Sequence, residues 1–267
     1  MFADGPSSEV LQAFGVEAPA RWLSGGQGSS WRAGGLVLKP DAGPVHEWLG
    51  RSLLEVVTDE VRLSLPVPTR DGAWVCGGWV AYRWVEGGEP DYSAVSTWIE
   101  IIEVGRAFHR AVAHLARPDC LDARTDRWAI ADRVVWGELR SHFLPEFVDL
   151  AGRLEAALEP LGDPQVVHAD LTRNVLFAPG LAPAVIDISP YWRPPTYGEG
   201  VVLADALCWH DASAGLLERA GVSGAAVARA LLFRMATTNE AVVSGIGGVN
   251  LHDELRRYRN AVEAIDL

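Results

Sequence analysis

The residues with the most chemical promise lie between Gln165 and Pro190, in the run Q-V-V-H-A-D-L-T-R-N-V-L-F-A-P-G-L-A-P-A-V-I-D-I-S-P. This run holds His168, Asp170 and Asn174, then a Gly/Pro turn, then Asp187 at the end of an apolar stretch. Val175-Leu176-Phe177 and Ala184-Val185-Ile186 are short β-prone runs on either side of Ala178-Pro179-Gly180-Leu181-Ala182-Pro183, which predicts a tight hairpin. Such a hairpin brings Asn174, just before its first strand, near Asp187, just after its second. Two oxygen ligands at the open end of a hairpin suit Mg²⁺, which takes few protein ligands and keeps positions for phosphate oxygens and water. Asp170, in the loop leading in, can accept a proton from an attacking hydroxyl or simply orient it. An acid within reach of a hydroxyl, beside an Asn/Asp pair for a metal, is what phosphoryl transfer requires. Taken singly, His168 reads as a core histidine and the others as turn residues or caps. Order and spacing carry the reading.

A second cluster precedes it. Of 23 basic residues, 22 are arginine, and Lys39 is the only lysine. It ends a pattern of strand, glycine-rich turn, strand, turn and strand: Ala20 to Leu23, Ser24-Gly25-Gly26-Gln27-Gly28-Ser29-Ser30, Trp31-Arg32-Ala33, Gly34-Gly35, and Leu36-Val37-Leu38-Lys39-Pro40. Glycines let backbone approach a phosphate closely, and a lysine pairs with phosphate oxygens as a point charge. Neither a Walker A spacing nor a βαβ dinucleotide fingerprint is present.

His168-Ala169-Asp170-Leu171-Thr172-Arg173-Asn174-Val175-Leu176 resembles the H-G-D-L-x-x-x-N-I-L loop of the aminoglycoside phosphotransferase and choline-kinase-like superfamily. Ile186-Asp187-Ile188 resembles its metal strand. Between Asp170 and Asn174 the loop is one residue shorter than the pattern. The resemblance implies an α+β, two-lobed, protein-kinase-like fold. Residues 1–87 would form a small antiparallel sheet lobe with one helix, and residues 88–267 a larger, mainly helical lobe with the catalytic loop and metal site. It also implies site residues: Asp170 as the catalytic acid, Asn174 and Asp187 as ligands of Mg²⁺, and Gly25, Gly26, Gly28, Ser29 and Lys39 around the phosphates of ATP. Gly78 to Gly87 resembles the hinge strand, where adenine bonds main-chain groups around Arg83 to Val85. Trp79 and Trp84 either line that pocket or serve as core.

After Pro44, Val45, Trp48, Leu49, Leu53 and Val56 recur at three and four, predicting an amphipathic helix. In kinase-like folds this helix carries a Glu that pairs with the phosphate-binding Lys. Glu47 falls in its first turn, nearly opposite the apolar stripe. Glu55 flanks the stripe but comes late, and both stay open.

Further along, Trp98, Ile101, Ile102, Gly105, Phe108, His109 and Val112 fit one face of a long helix. His109 and His114 are not at the spacing that presents two metal ligands together, so both read as structural or exposed. Helices are expected over 127–140, 143–161, 201–209, 224–243 and 251–265, with Asn250 and Asp253 as a capping pair for the last. Ser7 or Ser8 caps a short helix reaching Phe14. Ser189 to Glu199, rich in Pro and aromatics, reads as a stiff loop in the place of an activation segment. Asp205 resembles the helical-lobe Asp that braces the catalytic loop main chain.

Composition sets bounds. At 267 residues and 49% hydrophobic, the chain has ample material for a core. A net charge of −12 without cation clusters argues against nucleic acid and is compatible with a cationic acceptor. No membrane span or secretory signal is read, so a cytoplasmic protein is expected. Cys76, Cys120 and Cys208 are odd in number and scattered, indicating neither a disulfide framework nor a zinc site. The expected activity is transfer of the ATP γ-phosphoryl group to a hydroxyl on a small molecule. Glu199 and Asp211 are acidic candidates for meeting the acceptor. The alternative is a nucleotide-binding pseudokinase, motivated by the shortened loop and the rigid Trp192-Arg193-Pro194-Pro195. A serine hydrolase is disfavoured because no G-x-S-x-G occurs.

Overall fold

The computed structural model describes residues 5–24, 28–41, 44–140, 142–213 and 215–266. In chain order its elements are α1 (Ser8–Ala13), β1 (Arg21–Trp22), β2 (Trp31–Ala33), β3 (Leu36–Pro40), α2 (Pro44–Ser52), β4 (Arg62–Leu63), β5 (Pro66–Val67) and β6 (Trp79–Arg83). Then come α3 (Val95–Val112), α4 (Arg127–Val135), α5 (Val148–Ala156), β7 (Gln165–His168), β8 (Val175–Leu176), β9 (Ala184–Val185) and β10 (Pro190–Arg193). Four helices close the chain: α6 (Pro195–Trp209), α7 (Gly215–Ala220), α8 (Gly224–Val243) and α9 (Leu251–Ala264). Contacts divide it into two compact units, Met1–Glu89 with Arg173–Ile188, and Pro90–Thr172 with Ser189–Leu267.

In the first unit the strands run β1, β2, β3, β6, β5, each antiparallel to its neighbour. Gly34 supplies the left-handed residue (φ 57°) that the turn from β2 to β3 needs. Ser7 caps α1 by accepting the Val10 N–H at 3.3 Å, and Val10 and Phe14 then pack on Ala33, Leu38 and Ala81 of the sheet. Cys76 and Trp79 form one isolated bridge across a two-residue turn in which Gly77 and Gly78 both take positive φ. The hairpin β8–β9 joins this unit through β9, which runs parallel to β4.

The second unit is built around α6. Every residue from Tyr197 to Cys208 is buried, so α6 has no polar face. Gly200 lies against α8 so closely that a Cβ there would overlap the Ala226 carbonyl. Gly200→Ala therefore costs about 1–3 kcal/mol of stability in urea unfolding; an unchanged midpoint would contradict that close approach. The face of α3 expected from periodicity is the buried one. Helix α4 stops at Val135, short of the expected Arg140, because Gly137 takes φ 73° just beyond it. The segment expected as a stiff loop is instead strand and helix. Pro190–Arg193 pairs antiparallel with β7, and α6 already starts at Pro195, whose missing N–H needs no partner there. Arg193 is clamped at 2.6 Å by Asp132 and at 2.8 Å by Glu138.

Candidate active site

Hairpin β8–β9 sets the first group of residues. Its register pairs Val175 with Val185 and Leu176 with Ala184, and beyond it the Ile186 N–H donates to the Asn174 carbonyl at 2.9 Å. Asn174 and the residue preceding Asp187 are thus tied together at the open end. Asp187 takes φ 50°, a left-handed turn that Asp tolerates better than most residues. Its carboxylate is 2.8 Å from Lys39 Nζ, and the Lys39 ammonium lies 5.8 Å from the Tyr82 ring centroid. Burial, then the charges of Asp187 and Asp41, push the Tyr82 phenol well above its ordinary range. The hairpin is held at its side by Arg62, which donates to the Ala182 carbonyl at 2.7 Å and the Glu86 carbonyl at 2.8 Å. Gly87 has φ 146° and a Cβ there would come within 2.9 Å of Leu176, so only glycine fits where this segment meets the hairpin.

Lys39 does not pair with either helix glutamate among the described residues. Glu47 is exposed and bound by Arg51 at 2.8 Å, one turn along its own helix. Glu55 lies in a 3-10 turn past the end of α2 and is exposed. Helix α2 buries His46 and Leu49 instead; His46 lies edge-on to Tyr82 with centroids 4.9 Å apart, and burial pushes its pKa down to about 4.

Gly25 and Gly26 lie outside the described residues. Gly28 takes φ 72°, its carbonyl accepts from Trp22 Nε1 at 3.0 Å, and Ser29 is half-buried. At the end of β6, the Arg83 N–H donates to the Leu65 carbonyl and the Arg83 carbonyl accepts from Ser64 Oγ at 2.7 Å. Val85 has no main-chain partner among the described residues. Of the two expected adenine contacts, Val85 is the one with open groups. Trp79 packs on the core, while Trp84 carries the Arg32 guanidinium 4.0 Å above its ring.

In the second unit, Ala169 and Leu171 bury on either side of Asp170, and a Cβ on Gly105 of α3 would overlap Leu171. The loop start is pinned at His168, whose N–H donates to His109 Nε2 at 3.1 Å and whose Nδ1 accepts from the Ser189 N–H at 3.4 Å. Burial, then His168, pushes the His109 pKa down to about 3. Asp170 accepts from Arg234 Nη2 at 2.8 Å, and the same guanidinium donates to both oxygens of Asp205 at 2.7 Å. Among the described residues, Asp205 thus reaches the Asp170 side chain through Arg234, rather than bracing the loop main chain directly. Sequence reasoning did not single out Arg234; its signal was one arginine inside A-L-L-F-R-M-A. Glu199, a candidate for the acceptor, is buried and paired with Arg106 at 2.6 Å. Asp211 is exposed, with φ 52°.

A profile of the phosphotransferase enzyme family matches residues 42–188, more than half of the chain and inclusive of Asp170, Asn174 and Asp187. The chain belongs to this phosphotransferase family. No curated protein matches it in sequence. Among solved structures it is similar to aminoglycoside phosphotransferase APH(4)-Ia, with TM-score 0.61 and 16% identity over 97% of this chain and 96% of that one. Spectinomycin phosphotransferase APH(9)-Ia, solved with ADP and spectinomycin, gives TM-score 0.58 and 14% identity over 97% and 96%. The GDP complex of aminoglycoside 2'-phosphotransferase-IIIa gives 0.55 and 14% over 94% and 93%. These likenesses show the fold that the motifs implied: α+β and protein-kinase-like, with a small antiparallel-sheet lobe and a larger, mainly helical one. No helix among the described residues is long and apolar enough to cross a membrane.

Proposed function

We propose that this phosphotransferase moves the γ-phosphoryl group of ATP to a hydroxyl of a small molecule, in a Mg²⁺-dependent reaction. The observation that carries the reading is the 2.8 Å pair of Lys39 with Asp187, beside Asn174 at the mouth of one hairpin. Asn174 and Asp187 offer oxygen donors only, which fits Mg²⁺. Bound there, Mg²⁺ would neutralise phosphate charge. Lys39 then exchanges Asp187 for the α- and β-phosphates, Val85 meets the adenine edge, and Gly28 and Ser29, with Gly25 and Gly26 before them in sequence, meet the phosphates. Asp170 aligns the acceptor hydroxyl. The acceptor oxygen bonds to the γ-phosphorus as its bond to the ADP oxygen breaks, and the hydroxyl proton passes to Asp170 and on to solvent.

The acceptor is an amino-sugar or amino-alcohol type of compound. Two similar structures were solved with spectinomycin or with hygromycin B, and a chain of net charge −12 favours a cation. A cytoplasmic site, where ATP and Mg²⁺ abound, belongs to the same reading. Thermal unfolding with ATP, Mg²⁺ and both tests it, since a ligand at a hundred times its Kd adds roughly 2.7 kcal/mol. The expected result is a rise that needs both ligands, together with radiolabel moving from γ-labelled ATP to such an acceptor. A rise with ATP that ignores Mg²⁺ and Asp187 would favour the pseudokinase instead. The short loop that motivates that alternative closes with Arg173 at φ 66° and keeps the bond from Ile186 to Asn174.

A further inference from the structure

Asp170 sits on a loop and its side chain is 42% exposed, a poor situation for a group that must hold one orientation. A solvent-facing carboxylate on a loop samples several rotamers, and a misplacement of about 1 Å can cost about 10²-fold in rate. Arg234 contacts the Asp170 carboxylate directly and restricts it. It comes from α8, 64 residues away in sequence, and its side chain is 13% exposed. Nε and Nη2 each meet one oxygen of Asp205, and Nη2 also meets Oδ1 of Asp170. The residue is fixed at its backbone too, since its carbonyl accepts from the hydroxyl of buried Tyr258 at 3.0 Å.

We propose that Arg234 is a positioning residue for Asp170, anchored in turn by Asp205; this rests on the reading of Asp170 as the group that aligns the acceptor. A guanidinium does not give up its proton, so the contact orients the carboxylate and does not relay a proton. Its planar fork is also what allows one side chain to address two carboxylates on fixed lines, which a lysine ammonium cannot reproduce. In a chain with 22 arginines and one lysine, Arg234→Lys isolates that geometric requirement from charge.

The experiment is steady-state MgATP turnover with water as acceptor, in wild type, Arg234→Lys, Arg234→Gln, Asp170→Asn and the Asp170→Asn/Arg234→Gln double variant. Arg234→Gln is expected to lower kcat by about 10²-fold with KM for MgATP within about twofold, with Arg234→Lys in between. In the Asp170→Asn background the Gln substitution should cost nothing more, because residues acting as a unit are not additive. Losses that multiply in the double variant would assign Arg234 to general stability and overturn the inference. Full turnover in Arg234→Gln beside a dead Asp170→Asn overturns the inference alone, whereas full turnover in Asp170→Asn overturns the role of Asp170 and the inference with it. Urea unfolding of the same proteins measures the coupling of positions 170 and 234 without turnover, and additive effects there would also overturn it. Where Arg234→Gln does not fold, Arg234→Lys takes its place in both cycles.

Discussion

Asp187→Asn is expected to leave the fold intact and to lower phosphoryl transfer by about 10³-fold or more, the rate equivalent of several kcal/mol of lost metal-linked stabilisation. The substitution removes a charge and little else. Asn is as tolerant as Asp of the left-handed backbone found there, φ 50°, so no strain is added. The ion pair it loses, with Lys39, is 49% exposed on the Asp side and is worth at most about 1 kcal/mol. Without ligand, the melting temperature should therefore move little, while the added stability from ATP with Mg²⁺ should vanish. Asp187→Ala and Asp187→Gly complete the test. Both should be as inactive as Asn, but Ala should be less stable than Gly by about 1–2 kcal/mol, because only Ala pays the left-handed penalty. Wild-type turnover in Asp187→Asn would sink the assignment of Asp187 to the metal.

The parts of this site that were legible from sequence are those set by local chemistry. A Pro/Gly break between two β-prone runs is enough to predict a hairpin, and the hairpin is enough to bring Asn174 toward Asp187. The buried face of α3 follows from residue spacing alone. What stayed hidden depends on partners far away in the chain. Periodicity allowed Glu47 or Glu55 to meet Lys39, but α2 turns His46 inward, and Glu47 is left to Arg51. Pro190–Arg193 looked like loop because prolines and aromatics dominate it, and only pairing with β7 makes it a strand. Glu199 looked available to a substrate until Arg106, 93 residues earlier, claimed it. Arg234 is the clearest case, since nothing within α8 says that its guanidinium is shared by Asp205 and Asp170.

His109 should make the stability of this protein fall as pH drops below about 6.5. In the folded chain burial pushes its pKa down to about 3, against 6.5 in the unfolded chain. Between those values the unfolded state binds a proton that the native state refuses, so stability is full above pH 6.5 and is lost progressively toward pH 3. The slope is about 1.4 kcal/mol per pH unit for one histidine. His46, pushed down to about 4 by burial, adds to it with the same sign. Urea unfolding between about pH 5 and 6.5 isolates the effect, because carboxylates are largely ionised there. His109→Gln keeps an acceptor for the His168 N–H but takes up no proton, so its slope over this range should be smaller by about 1 kcal/mol per pH unit. Equal slopes would show that His109 is not the group that refuses the proton. The consequence reaches the site because the bond from His168 fixes Nε2 as acceptor and so places the ring hydrogen on Nδ1. That Nδ1 is buried with no partner among the described residues. Protonating the ring would convert the acceptor that pins His168 into a second donor, and the start of the loop bearing Asp170 would lose that hydrogen bond to α3.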